Sequence, residues 1–346
     1  MKEDINDTLR QKGTAAALAR HDRAQRFNGV PPTPKMAPPV IQSLAALRTK
    51  KFAPINYVVT DYIVQGCTLL TGNPKIGKSW FALDVGLAVA RGGECLGSIK
   101  CTQGNVLCLA LEDNERRIQN RATKLLGFSA EWPSGFHYTT EWPRGDDGLV
   151  HIRNWITQQK KQQKNPRLVV VDTLAMFRSP RTSQQTNYDA DYIALQGLRQ
   201  LGSDTDVAIL AVGHLRKAGA DSDPIEKISG TYGLTGSTDT ALIIDRDALG
   251  TTLYGRGRDI PEIEQAVEFD KATCQWRVLG NPADVRRTSG RKAILDALQA
   301  ADGEMSPKDI AAATGMALNN VYQLLFSMGK DGEVRRTVRG RYTTGM

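Results

Sequence analysis

Between residues 67 and 245 the chain repeats one pattern. A short apolar, β-rich run is followed by a longer stretch whose apolar positions recur every three or four residues. The short runs are CTLLTG (67–72), NVLCLAL (105–111), RLVVVD (167–172), VAILAVGH (207–214) and TALIID (240–245). None alternates strictly with polar residues, the pattern of parallel strands covered on both faces. The stretches between them, such as SWFALDVGLAVARG and YDADYIALQGLRQLG, have helical spacing. Strand and helix in alternation predict an α/β fold with a mostly parallel central sheet. TLYGRGRD, QAVEFD and TCQWRVLG then predict antiparallel strands at its end.

The two ends of the chain read differently. Residues 1–47 form an N-terminal arm, in which VPPTPKMAPP holds five prolines and predicts an extended linker. Before it, TAAALARHDRAQRF predicts a short amphipathic helix that could pack on a neighbouring subunit. After NPADVRRTSG the pattern changes again. RKAILDALQAA predicts one helix, SPKDIAAATG a second that starts on a serine cap and stops at Gly315, and ALNNVYQLLFSMGKDG a third. EVRRTVRGRYTTG predicts a two-stranded ribbon. That order is a winged helix. The expected domains are 1–47, 48–283 and 288–346.

Composition narrows the classes. With 40% hydrophobic and 24% charged residues, the 346-residue chain reads as an ordinary globular protein. No apolar run approaches the ~20 residues of a membrane span, and the charged N-terminus lacks a signal-peptide core, so a cytoplasmic protein is expected. Five cysteines without a C-x-x-C pair argue against a disulfide framework and a zinc site. A formal charge of +8 favours a polyanionic partner.

The chemistry begins at the end of the first apolar run. Gly72, Asn73, Pro74, Lys75, Ile76, Gly77, Lys78 and Ser79 satisfy G-x-x-x-x-G-K-[ST] at every fixed position. The glycines let backbone N–H groups turn inward around a β-phosphate, Lys78 reaches the β- and γ-phosphates, and Ser79 offers a hydroxyl to Mg²⁺. The helix from Trp80 aims its positive end at the anion. ATP and Mg²⁺ are the expected cofactors. RLVVVD ends in Asp172, a strand-tip carboxylate for the metal shell. NVLCLAL runs into Glu112 and Asp113, and a carboxylate there can polarise the water that attacks a γ-phosphate, with Glu112 placed ahead of Asp113. The alternative is an acidic helix N-terminus in solvent. Thr173, not a glutamate, follows Asp172, which argues against the AAA+ arrangement.

With these motifs in place, roughly residues 50–280 resemble the RecA-like ATPases, and within them the hexameric plasmid replicative helicases of the RepA type. The resemblance rests on GNPKIGKS, LALEDNERRIQNR, LVVVDTLAMF, AVGHLRK and ISGTYGLTGSTDTALIIDR. It implies a RecA-like P-loop core with an appended winged helix. It also implies a γ-phosphate sensor at His214, which the residues alone would equally allow as a strand-end histidine. Arg256 and Arg258, two apart in LYGRGRD, look like paired fingers inserted into a neighbour's ATP, Arg258 first; otherwise they are surface arginines. The loops 178–189 and 216–233 look like DNA-facing loops, offering Arg178, Arg181, Arg216, Lys217 and Lys227 to a backbone, or are simply solvated.

In the C-terminal module the ribbon carries Arg335, Arg336, Arg339 and Arg341, and the third helix offers Asn319, Asn320 and Gln323 to base edges. Protein docking is the alternative use. The expected function is an ATP-hydrolysing ring motor on single-stranded DNA, a replicative helicase of a plasmid, phage or mobile element. Its expected partners are DNA, other copies in a hexameric ring, and a primase or initiator protein. The second reading is an ATP-controlled DNA-binding initiator or regulator without unwinding activity. A filament-forming recombination mediator and a metabolic kinase have less support.

Overall fold

The computed structural model describes residues 41–52, 54–128, 130–213, 236–247, 250–301, 303–337 and 340–345. The chain forms two compact units, Met1–Pro54 and Ile55–Met346. The described part of the first holds one short helix, α1 (Leu44–Arg48), whose first turn is capped by the Ser43 hydroxyl. Its side chains Ile41, Leu44 and Leu47 are exposed. The helix expected at 14–27 and the proline-rich stretch lie outside the described residues.

The second unit begins with a hairpin of β1 (Tyr57–Val59) and β2 (Ile63–Val64), then β3 (Gly66–Gly72) and α2 (Lys78–Arg91). A second small hairpin, β4 (Glu94–Cys95) and β5 (Ile99–Lys100), precedes β6 (Asn105–Ala110), α3 (Glu115–Leu126), β7 (Phe136–Thr139) and α4 (Gly145–Lys161). Next come β8 (Pro166–Asp172), the single turn α5 (Leu174–Phe177), α6 (Asn187–Thr205) and β9 (Ala208–Val212). Four further strands follow: β10 (Thr240–Asp247), β11 (Gly250–Gly257), β12 (Ile263–Asp270) and β13 (Gln275–Gly280).

These build a nine-stranded sheet in the order β13-β12-β11-β10-β3-β9-β8-β6-β7. The strands from β10 to β7 are parallel, and β11, β12 and β13 extend the sheet antiparallel. The five apolar runs are all strands, because each sits between covered faces. One face packs on α2, with Leu70, Val106, Val170, Leu210 and Trp276 in its core. The other packs on α4 and α6, with Leu69, Leu109, Val171, Ile209 and Leu195. Strand β7 carries no such run. It is the sheet's edge, paired only to β6 and half-buried, so FHYT needs no continuous apolar face.

The C-terminal region consists of α7 (Pro282–Ala300), α8 (Pro307–Thr314), α9 (Leu318–Lys330) and the ribbon β14 (Val334–Arg336) with β15 (Tyr342–Thr344). The expected order is present, but NPADVRRTSG is not a break. Asn281 caps α7 with Pro282 in its first turn, and the helix runs through this stretch into RKAILDALQA without interruption. Gly290, which resembles turn punctuation, is a packing position. A Cβ there would stand 2.8 Å from Leu324 Cδ1, so its absence lets α9 approach α7. The Ser306–Asp309 capping box starts α8, and Ile294, Leu298, Ile310, Val321, Leu325, Met328 and Val334 form a separate small core. Arg291 ties Asp331 and Glu333 to α7 at 2.6 and 2.7 Å. Arg286 reaches Asp247 at 3.0 Å, linking α7 to the end of β10.

All five cysteines are buried free thiols. Among the described residues no helix is long and apolar enough to cross a membrane.

Candidate nucleotide site

The site forms where β3, β8 and β6 end together. Asp172 is paired with Ala110 across β6–β8, and Leu111 N–H donates to Asp172 O at 2.7 Å, so the tips of these two strands are level. Beyond β3 the chain turns through Asn73–Ile76 and enters α2 at Lys78. Two glycines make that turn possible. A Cβ on Gly72 would lie 2.6 Å from the Ile244 carbonyl of β10, and Gly77 has a φ of 111°. Gly77 is also braced from beneath. Trp276, 1% exposed on β13, donates its indole N–H to Gly77 O at 3.2 Å, and its ring continues through Phe269 to Trp80. No feature of the local pattern around Trp276 announces this role. Trp276→Ala should therefore destabilise the unit by about 3–5 kcal/mol and loosen the turn. Thermal unfolding and a nucleotide titration check it, with weaker nucleotide binding the expected result and unchanged affinity the contrary one.

Lys78 is buried and folded back on the turn, donating to Gly72 O at 2.8 Å and Asn73 O at 3.0 Å. Burial pulls its ammonium down to about 8, against the attraction of Asp172 and Glu112. Asp172 is pushed the other way. Burial raises its carboxyl to about 6, opposed by the hydrogen bond from the Ser79 side chain, while Asp113 and Glu112 add to the rise. Its Oδ1 is buried and has no hydrogen-bond partner. A buried carboxylate oxygen left unpaired beside a hydroxyl is costly unless a cation takes it. The donor set thus suits a hard divalent ion held by Ser79, Asp172 and phosphate oxygens.

Glu112 and Asp113 separate in their surroundings. Asp113 is held by Arg117 at 2.8 Å and by Arg121, which itself lies 5.3 Å from the centre of the Trp80 ring. Glu112 is exposed, and Thr173 Oγ1 donates to its Oε1 at 2.8 Å. The residue after Asp172 therefore orients a carboxylate hung from the neighbouring strand.

Arg256 and Arg258 lie far from this turn. Arg256 pairs with Ala241 of β10, whereas Gly72 pairs with Ile244. Those levels differ by about 10 Å along the strands, and β10 stands between β11 and β3. Both arginines are exposed, and Arg256 forms an ion pair with Glu262.

The expected DNA contacts divide. Arg178 is engaged inside its own loop, donating to Asn187 O and Oδ1 at 2.9 and 3.0 Å and meeting Asp191 at 3.0 Å, so it pins the entrance of α6 instead of facing outward. Arg181 is exposed. In the C-terminal region Asn319, Asn320, Gln323, Arg335, Arg336 and Arg341 are exposed. The exposed face of α9 also carries Tyr322 and Phe326, with the Lys330 ammonium 4.5 Å over the Phe326 ring. His214, Arg216, Lys217, Lys227 and Arg339 lie outside the described residues.

With this geometry in hand, comparison with known proteins adds four findings. The family model described as AAA domain matches residues 32–220. The model described as IclR helix-turn-helix domain matches 293–337. No curated protein sequence matches the chain. A solved structure described as a DnaB-like replicative helicase and its interactions with primase is similar at 13% identity and a TM-score of 0.53, covering 79% of this chain and 74% of that one. That likeness shows the fold, a RecA-like P-loop core. Thr173 follows Asp172, and the nearby acid, Glu112, comes from the neighbouring strand.

Proposed function

The chain belongs to the AAA domain family, and from that premise we propose that it is an ATP-hydrolysing motor, assembled as a hexameric ring in the RepA manner, that acts on single-stranded DNA. One observation carries the reading. Cradle, metal carboxylate and Glu112 converge at one end of the sheet, while the paired arginines stand at the other end of β10 and β11. Each chain is then half a site, completed when Arg258, assisted by Arg256, reaches the γ-phosphate bound by a neighbour. Lys78 and the cradle from Gly72 to Trp80 bind ATP, Ser79 and Asp172 hold Mg²⁺, Glu112 orients the attacking water, and His214 senses the γ-phosphate. Arg181, Arg216, Lys217 and Lys227 supply positive charge to the DNA backbone.

The helicase likeness supports replication as the setting, on a plasmid, phage or mobile element, with a primase or initiator as a protein partner. The winged helix supports a second reading, a nucleotide-controlled DNA-binding initiator or regulator, because Asn319, Asn320 and Gln323 stand exposed on α9 beside a ribbon with exposed Arg335 and Arg336. Arg339 belongs to the same ribbon in sequence.

Steady-state ATPase with Mg²⁺, with and without single-stranded DNA and over a range of protein concentrations, decides between them. The motor predicts at least tenfold stimulation by DNA and a specific activity that collapses on dilution below assembly. Nucleotide binding without DNA stimulation, with sequence-specific duplex binding, favours the regulator.

A further inference from the structure

We propose that Asp239 and Arg199 are positioning residues that aim Arg258 at the ATP of a neighbouring subunit, an inference that rests on reading Arg258 as a finger acting in trans. Strand β11 ends at Gly257, opposite Thr240, so sheet pairing alone does not fix the residue that follows. One further rung fixes it. The Arg258 N–H donates to the Asp239 carbonyl at 3.1 Å.

Asp239 is itself held on three sides. Its N–H donates to Cys67 O at 3.0 Å. Its Oδ2 accepts from the Cys67 N–H at 3.0 Å, and its Oδ1 accepts from Arg199 Nε of α6 at 2.9 Å. The carboxylate lies flat on Gly66, where a Cβ would come within 2.4 Å of Oδ2. Gly66 in turn is approached by α6, since a Cβ on Gly202 would stand 2.9 Å from the Gly66 carbonyl. Backbone, carboxylate and guanidinium thus clamp the base of the finger to the first residues of β3. That strand ends at the phosphate cradle, five residues on and about 17 Å away. One strand carries a chain's own cradle at one end and the anchor of the finger it lends at the other.

The chemistry of the clamp dictates the variant. Both partners of the Asp239 carboxylate are N–H donors, so each of its oxygens must accept. Asp239→Asn sets an amide NH₂ against one of them and loosens the clamp without changing its size. A guanidinium that stabilises a transition state tolerates little displacement, and a shift of about 1 Å can cost on the order of 10²-fold in rate. Asp239→Asn should lower the DNA-stimulated kcat about 10–100-fold, with ATP affinity and assembly near those of the parent protein.

Mixed rings separate this role from a merely structural one. A chain carrying Asp239→Asn keeps a sound cradle, and a chain carrying Lys78→Ala keeps a sound finger. Mixing the two full-length proteins should restore turnover at least fivefold above either alone, because some interfaces then pair a sound cradle with a sound finger. Arg258→Ala mixed with Lys78→Ala is the parallel test. If both mixtures recover, Asp239 acts through the finger. Recovery of the Arg258→Ala mixture alone overturns the proposal and leaves the trans reading standing. Failure of both mixtures overturns the trans reading and the proposal with it, as does a parent-like kcat for Asp239→Asn. Should Asp239→Asn fail to fold, Arg199→Lys, which keeps the charge but loses the Nε donor, goes through the same mixing test with the same outcomes.

Discussion

Glu112→Gln is expected to lower ATP turnover by roughly 10²–10⁴ while ATP still binds. Glutamine keeps the length of the side chain and an oxygen for the Thr173 hydroxyl, which donates to Glu112 Oε1 at 2.8 Å. What it loses is the capacity to take a proton from water. Asp113 cannot stand in, because Arg117 and Arg121 hold one oxygen each and its side chain is 9% exposed. The cradle does not depend on Glu112 for its shape, since Lys78 rests on Gly72 O and Asn73 O and Gly77 rests on Trp276. Single-turnover hydrolysis beside a fluorescent-nucleotide titration reads the two properties separately. Turnover near that of the parent would move the base elsewhere. Equal loss of binding and turnover would make Glu112 part of the cradle.

The same surroundings explain what the sequence could show. Interior strands such as β8 are covered on both faces, so they must be apolar at consecutive positions, and that signature survives in one dimension. The edge strand β7 has one partner and a half-wet face, and leaves no such trace. The cradle is equally legible because its chemistry is local, eight consecutive residues held by one turn. Its brace is not. Trp276 sits 199 residues from Gly77, and only the fold brings the indole under the turn. Arg178 shows the converse. A basic residue in a polar loop reads as a surface charge, yet the capped start of α6 at Asn187 returns a carbonyl and an amide to it. Gly290 makes a related point. Glycine marks turns in a sequence, but at a helix crossing it also marks the contact itself, and only the position of Leu324 tells the two apart.

Asp172→Asn should have two effects of opposite sign: Mg²⁺-dependent turnover falls to background, and the nucleotide-free protein becomes more stable at pH 7. Burial pushes the Asp172 carboxyl up to about 6 from 3.8. The folded state therefore holds a proton more tightly than the unfolded chain does. Its stability falls as pH rises from about 4 to 6, and the full penalty of the buried charge is present above that window. A rise of this size corresponds to roughly 3 kcal/mol, part of it offset because Lys78 loses an attractive partner, so a net gain of roughly 2 kcal/mol is expected for the asparagine at pH 7. The gain should shrink as pH drops toward 4, where the native carboxyl is already neutral. Asparagine, however, offers a metal no charge, and the unpaired Oδ1 is the atom a cation would take. Thermal unfolding of both proteins at pH 4.5 and pH 7, with and without Mg²⁺ and a non-hydrolysable ATP analogue, tests the pair of effects. The parent should gain stability from the metal–nucleotide complex and the variant should gain much less. If the variant is no more stable than the parent at pH 7, the Asp172 charge is not a burden that the metal relieves. Stability would then have been exchanged for nothing at the strand tip, and the case for Asp172 as the metal carboxylate would fall with it.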